Sequence, residues 1–427
     1  MTMDRRNFIK TGSISIATFG LVDGILTGCN KEDDKFKELD NMTAGVEPLT
    51  NEDYIARQQK AAMLMEENRI DGLFITGGSN LLYFFNLSWW QSERLFGAIL
   101  NRNGDPVWIC PAFEAERARE VIKFGTDIRV WQEHESPYDM VIEIMKSGGI
   151  KSGVLGIDPN VRSFVVEGIR KAANGKQIQL TDGALVTENC RGIKSDKELA
   201  FMELGNRITK MAYRETFKMI REGMDPVELE ELIRQAHLKM GVSGGGSPQF
   251  GISSAFPHGT EQTFPLKQGD IIMVDGGCIV EGYRSDVTRT IVFGEPTDQM
   301  KRVFDIILKA RQEAMKAVRP GATCESIDAA ARKVIEDSGY GPDYKYFMHR
   351  LGHGIGLEGH EYPYLVKGNK LELKSGMTFS NEPGIYIPNE FGIRIEDCFT
   401  VTEDGGSYLG GMLTESIDKP FGIDTQA

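Results

Sequence analysis

The sequence predicts an α+β catalytic domain with an internal pseudo-two-fold repeat, preceded by a smaller α/β domain. Three observations carry this. The chain has 427 residues, too many for one average domain. Its texture changes near Arg191, from short apolar strands alternating with helices to long amphipathic helices. The part after that point also repeats itself, with acidic residues at matching places. The boundaries read from the chain are an address segment over 1–29, a polar tether over 30–50, an α/β domain over 51–190 and the catalytic domain over 191–427.

Composition narrows the function classes. With 49 basic and 62 acidic residues the net charge is −13, which argues against nucleic acid as a general partner because phosphate binding needs basic patches. Beyond the N-terminus nothing approaches the run of about 20 apolar residues that spans a bilayer. The six cysteines (Cys29, Cys110, Cys190, Cys278, Cys324, Cys398) are widely spread with no C-x-x-C pair, so neither a zinc finger nor a dense disulfide framework is indicated.

The first segment reads as targeting. Arg5-Arg6-Asn7-Phe8-Ile9-Lys10 resembles a twin-arginine export signal, and a short apolar stretch runs from Thr11 to Leu26. Leu26-Thr27-Gly28-Cys29 resembles a lipoprotein cleavage box, although Asp23 interrupts the apolar region. The expectation is export across a bacterial inner membrane, a periplasmic or cell-envelope location and a lipid anchor at Cys29. The charge run Lys31-Glu-Asp-Asp-Lys35 opens the solvated tether.

From Asn51 the α/β pattern begins. Ile70-Asp-Gly-Leu73-Phe-Ile75-Thr-Gly-Gly78 reads as a buried strand entering a glycine turn, and Val154-Leu-Gly-Ile157-Asp-Pro159 as another. The aromatic-rich Leu81 to Phe85 and Trp89-Trp90 read as core plus a domain or subunit contact. No catalytic constellation falls in this part.

In the second part, Lys197 to Glu222 predicts one long helix ended by Gly223. Asp225-Pro226-Val-Glu228 predicts the next, with Asp225 as N-cap, Pro226 in the first turn and Glu228 able to reach back. Leu229, Leu232, Ile233, Ala236 and Met240 give it one buried face, and Gly241 stops it.

The pattern then recurs. Arg221-Glu-Gly223-Met-Asp225 is echoed by Arg319-Pro-Gly321-Ala-Thr323, and Leu266-Lys-Gln-Gly269 ahead of Asp275 by Leu373-Lys-Ser-Gly376 ahead of Glu382. Arg284-Ser-Asp286 matches Arg394-Ile-Glu396. Two halves packed about a pseudo-two-fold axis would bring four carboxylates into one cleft, where like charges raise one another's pKa. One or two divalent cations resolve that conflict. Three of the six histidines, His349, His353 and His360, lie within twelve residues among glycines that permit close backbone approach, and His258 sits in Pro257-His258-Gly259. His134 and His237 read as surface or packing residues.

At Val274-Asp275-Gly276-Gly277, Ser285-Asp286-Val287-Thr288-Arg289, His349 to His360, Asn381-Glu382-Pro383-Gly384 and Ile393-Arg394-Ile395-Glu396 the chain resembles the pita-bread metallopeptidases. These include methionine aminopeptidase, aminopeptidase P and prolidase, with creatinase as a metal-free relative. The match runs from about Arg191 to Gly422, and the domain before it resembles the creatinase/prolidase N-terminal domain by layout. The resemblance implies metal ligands at Asp275, Asp286, His353, Glu382 and Glu396. It places His258, His349 and His360 against the substrate and transition state, Arg394 as an orienter of the ligands and Glu382 as proton shuttle.

It further implies two divalent ions, manganese ahead of cobalt, iron or zinc for so oxygen-rich a set, and a peptide substrate with proline in second position. Whether dipeptides or longer peptides are cut stays open, as aminopeptidase P and prolidase differ there. Relatives with this N-terminal domain imply a homodimer. Two other readings compete: a creatinase-like or lyase-like enzyme acting on a small non-peptide substrate, and a binding module that reuses the fold after losing the ligands.

Overall fold

The computed structural model describes residues 35–102, 105–148, 152–414, 416–418 and 421; residues 1–29, with Cys29, lie outside them. The solvated tether expected over 30–50 is corrected from Leu39 onward. Leu39 is buried, the Met42 amide donates to the Met240 carbonyl at 3.0 Å, and the Thr43 hydroxyl donates to the Gly241 carbonyl at 3.3 Å. A helix end exposes unpaired carbonyls, and these residues supply it with donors.

Thr50 and Asp53 form a capping box that starts the helix Asn51–Glu67. A six-stranded sheet follows, built from Ile128–Trp131, Val107–Pro111, Gly97–Asn101, Gly72–Thr76, Gly153–Ile157 and Ile178–Asp182 in spatial order. Both strands read from the sequence are present, and Gly72–Thr76 is buried throughout. Such continuous burial means that both faces are covered. On one face Leu73 and Ile75 pack with Tyr54, Ala61, Met65, Val186 and Cys190. On the other, Phe74, Leu155 and Ile157 pack with Val141, Met145, Val165 and Ile169.

Within the catalytic domain, Ser195 and Glu198 form a capping box for the helix Asp196–Phe217. This helix ends well before Gly223, in turns donated by Met219 and Ile220, because the chain must fold back to pair Gly223 with Leu266. The helix Pro226–Lys239 starts and buries its face as read, with Asp225 accepting from Val227. Glu228 does not reach back; it pairs with Arg221 at 2.6 Å. The strands Ser243–Phe250, Ile271–Val280, Tyr283–Arg284 and Val287–Val292 complete the first half.

The second half repeats the order. The helices Asp298–Ala317 and Cys324–Asp337 precede a five-stranded sheet of Glu361–Leu365, Gly352–Gly354, Thr378–Asn381, Asp397–Thr402 and Gly405–Tyr408. A separate hairpin joins Gly384–Ile387 to Phe391–Arg394. One core, with Phe304, Ile307, Ile327, Phe379 and Phe399, fills the space between these helices and strands. All five described cysteines are buried and free.

The two domains are clamped by Arg57. Its guanidinium is buried and donates to the Tyr83 carbonyl at 2.9 Å, to Glu198 at 2.9 Å and to the Tyr283 hydroxyl at 2.7 Å. Replacing Arg57 by Ala leaves Glu198 buried without its cation. The expected loss of stability is about 3–5 kcal/mol, read as a shift in the urea unfolding midpoint; an unchanged midpoint rejects the clamp.

Candidate active site

Three of the four acids sit where a strand ends or breaks. Asp275 is the exception: it ends the apolar run 271–274 but lies in the middle of the strand Ile271–Val280. The strand continues because Gly276 and Gly277 follow. A Cβ on Gly277 would meet the Ser285 carbonyl at 1.9 Å, and one on Gly276 the Gly245 carbonyl at 2.4 Å, so only glycine lets three strands close here. Asp286 occupies the break before Val287–Val292, Glu382 follows Thr378–Asn381, and Glu396 lies between Phe391–Arg394 and Asp397–Thr402. His353 is central in Gly352–Gly354.

The fold brings these residues together. Three overlapping sets each place one donor atom per residue within 4.8 Å of the others: Asp286 with His353 and His360, His353 with Glu382 and Glu396, and Asp275 with Asp286 and Glu396. They line a cavity of about 160 Å³ that His258, His349 and Arg394 also line. The His360 ring stacks on His353 with centroids 3.8 Å apart, which sets it among the acids. His258 is exposed on the cavity rim. His237, by contrast, is buried in Pro226–Lys239 against the Ile233 carbonyl, and His134 is exposed.

The electrostatics follow from four carboxylates facing one guanidinium. Burial, then the nearby Asp275 charge, pushes Asp286 well above the usual carboxylate range, against the pull of His353. Burial and repulsion from Asp286, Glu382 and Asp275 do the same to Glu396. Burial pushes Glu382 upward too, but the His353 hydrogen bond and the charges of His349, His353 and Arg394 outweigh it and hold it at about 2. His353 Nε2 lies 3.3 Å from Glu382 and 3.8 Å from Asp286. Despite burial, these acids raise its pKa. Burial lowers the pKa of His360, aided by His353.

Several residues that support the site escaped the sequence reading. The Thr288 hydroxyl lies 3.0 Å from Asp275 and 2.7 Å from Glu396, bridging an acid of each half. Arg394 donates to Thr288 at 3.0 Å, to the Pro257 carbonyl at 3.0 Å and to the Tyr386 hydroxyl at 2.8 Å, and pairs with Asp275 at 2.9 Å. Tyr386 also meets His349 Nε2 at 2.9 Å. The Ser380 hydroxyl donates to Glu382 at 3.1 Å and accepts the His353 amide at 3.0 Å. Thr288 and Tyr386 stand in strands whose alternation gives their facing, the one signal available, but it names no partner.

Comparison with known proteins agrees with this geometry. The family described as metallopeptidase family M24 matches residues 200–403, and the creatinase/prolidase N-terminal domain matches residues 57–193. An Xaa-Pro dipeptidase of Pyrococcus furiosus is 33% identical over 83% of this chain and 97% of its own length. A prolidase structure from Thermococcus sibiricus superposes with a TM-score of 0.75 at 30% identity, over 84% of this chain and 97% of that one. The dipeptidase PepE of Mycobacterium ulcerans gives a TM-score of 0.79 at 30% identity, over 87% and 99%.

These comparisons overturn the expected export and envelope location. The P. furiosus enzyme and an Xaa-Pro dipeptidase of P. horikoshii are matched over 97% and 98% of their length by 83% and 84% of this chain. The relatives therefore have almost nothing left to correspond to the remainder. The Asp23 carboxylate inside the apolar stretch is the physical flaw in that reading. Among the described residues no helix is long and apolar enough to cross a membrane.

Proposed function

The chain belongs to metallopeptidase family M24, with a creatinase/prolidase-type domain ahead of the catalytic one, and from this we propose that it hydrolyses the Xaa-Pro bond at the N-terminus of peptides. The observation that carries the reading is the convergence of Asp275, Asp286, His353, Glu382 and Glu396 on one cavity. The residues fit a divalent ion. Four carboxylates and one imidazole form a hard, oxygen-rich set that favours manganese, with cobalt, iron or zinc also accommodated. Burial and the neighbouring carboxylates push Asp286 and Glu396 upward, so the protein's own cations do not suffice to keep them ionised and a bound cation would take the place of their protons. The overlap of three donor sets supports two ions rather than one.

Bound divalent metal supplies Lewis acidity for water and for the scissile carbonyl. The chain's own residues supply the rest. Glu382, ionised and held by Ser380 and His353, is placed to take the proton of the attacking water and hand it to the leaving nitrogen. His360 and His258, on the cavity wall, donate to the developing oxyanion. Arg394 orients Asp275 and Thr288, and His349 is fixed by Tyr386.

Names of relatives support dipeptides as substrates. The test is hydrolysis of Xaa-Pro dipeptides and Xaa-Pro-Yaa tripeptides by the purified protein with and without manganese. Metal-dependent cleavage of the dipeptide supports the reading. Bound metal with no cleavage of either peptide moves the assignment to the creatinase-like or lyase-like alternative. Tyr386→Phe removes the link between His349 and Arg394, and partners of this kind are worth about 10–100-fold. Its expected signature is a fall in kcat of that size with metal content unchanged; loss of metal would contradict the role. A homodimer is also proposed: Trp90 is 85% and Phe113 65% exposed, large apolar side chains that a second copy would cover, and a monomer mass in solution rejects it.

A further inference from the structure

The two halves meet along a seam with its own regular register. The Cys398 thiol donates to the Asp286 carbonyl at 3.3 Å. The Glu396 amide donates to the Thr288 carbonyl at 3.1 Å. Thr290 Oγ1 donates to the Arg394 carbonyl at 2.7 Å and accepts the Arg394 amide at 3.2 Å. Each step is two residues up one chain and two down the other, the spacing of an antiparallel ladder. Because side chains alternate across a strand, Thr288 turns toward the acids and Arg289 turns away from them.

Behind the seam Arg289 meets a closed charge cluster. Its Nη1 donates to the carbonyls of Thr288 at 3.0 Å and Glu396 at 2.7 Å, and its Nη2 to Asp397 at 2.8 Å. Lys210, from the first helix of the first half, pairs with Asp397 at 2.6 Å and donates to the Leu409 and Gly411 carbonyls at 2.7 Å each. Arg311, from the first helix of the second half, lies 2.7 Å from the other Asp397 oxygen and covers the Tyr408 ring at 4.4 Å. Lys210, Arg289 and Asp397 are fully buried, and Arg311 is 3% exposed. Three buried cations on one carboxylate are costly as a device for stability alone. Apart from a longer contact of Nη2 with the Met412 carbonyl at 3.4 Å, the carbonyls Arg289 reaches belong to the bridging Thr288 and to Glu396 itself.

We infer that Arg289 is a positioning residue for the acid cleft: its fork, anchored by Asp397, Lys210 and Arg311, fixes the register between the halves and so sets the spacing of the carboxylates that hold metal. The inference rests on the proposed metal site. A single lysine ammonium cannot reach Asp397 and the Glu396 carbonyl together as a planar fork does, so Arg289→Lys keeps the charge and removes the geometry.

The experiment titrates the full-length, chelator-treated protein with Mn²⁺ alone, following free Mn²⁺ by electron paramagnetic resonance, beside circular dichroism and unfolding of the metal-free form. The expected result is a folded Arg289→Lys protein whose Mn²⁺ affinity is weaker by about 10–100-fold. A purely structural role would lower metal-free stability and leave the affinity of the folded form alone. A folded Arg289→Lys protein that binds Mn²⁺ within twofold of wild type overturns the inference. Should that variant not fold, Arg311→Lys, which leaves Arg289 in place, decides by the same affinity criterion. If wild type binds no Mn²⁺, the metal-site reading falls and takes the inference with it. If wild type binds and the folded variants match it, only the inference falls.

Discussion

Glu382→Gln is expected to lower Xaa-Pro hydrolysis by about 10²–10⁴-fold, the range that a positioned acid–base group contributes. The carboxylate stands 3.3 Å from His353 and 4.0 Å from His349, and its low pKa, about 2, keeps it ionised throughout the neutral range. The amide is nearly isosteric, so packing around Ser380 is kept and the fold should survive. Removing the charge also withdraws one of the five proposed ligands, so metal content should fall as well. Steady-state kinetics beside metal analysis separates the two contributions: full metal with lost kcat assigns Glu382 to proton transfer, and lost metal assigns it chiefly to ligation. Activity within tenfold of wild type at full metal would remove it from the mechanism.

The second large effect is the dependence of stability on metal and pH together. Asp286 and Glu396 have folded pKa values well above 3.8 and 4.5, their ordinary values. Groups of this kind contribute stability that is fully present below those ordinary values and is lost as pH rises through the folded pKa. The metal-free protein should therefore lose stability as pH rises from the acid side into the neutral range. Glu382 runs the other way: its depressed pKa contributes stability above about 4.5 that disappears only as pH falls toward about 2, outside that window. Metal must displace the protons of Asp286, Glu396 and His353, whose pKa the acids raise, so binding strengthens with pH. At 100 times its Kd a ligand adds about 2.7 kcal/mol. Thermal unfolding in chelator and in Mn²⁺ should then show two midpoints that diverge from about pH 5 to about pH 8. Convergence over that window would show that the buried acids are not the metal's binding groups.

Much of this architecture was legible before folding was considered. The cap at Asp225 with Pro226, the apolar stripe of the helix it starts and the strand at Gly72–Thr76 are decided within a few residues by hydrogen-bond geometry and burial period. The matched acids of the repeat were legible for a related reason: a duplicated unit carries its functional residue at the same offset. Errors arose where a distant segment intervenes. The long helix stops at Phe217 because Gly223 must pair with Leu266. Glu228 turns to Arg221 instead of its own N-terminus, and the stretch from Leu39 packs because the end of another helix needs donors.

The sequence by itself therefore determined which elements form, that the catalytic domain is doubled, and which acids and histidines belong to one constellation. Only the tertiary structure decided how they are held. Thr288 and Glu396 are 108 residues apart, and Arg289 and Asp397 likewise 108. Periodicity and capping act over one or two turns of chain. The register of a seam between two halves is set by which side chains interlock once both are packed, and no local pattern encodes that choice.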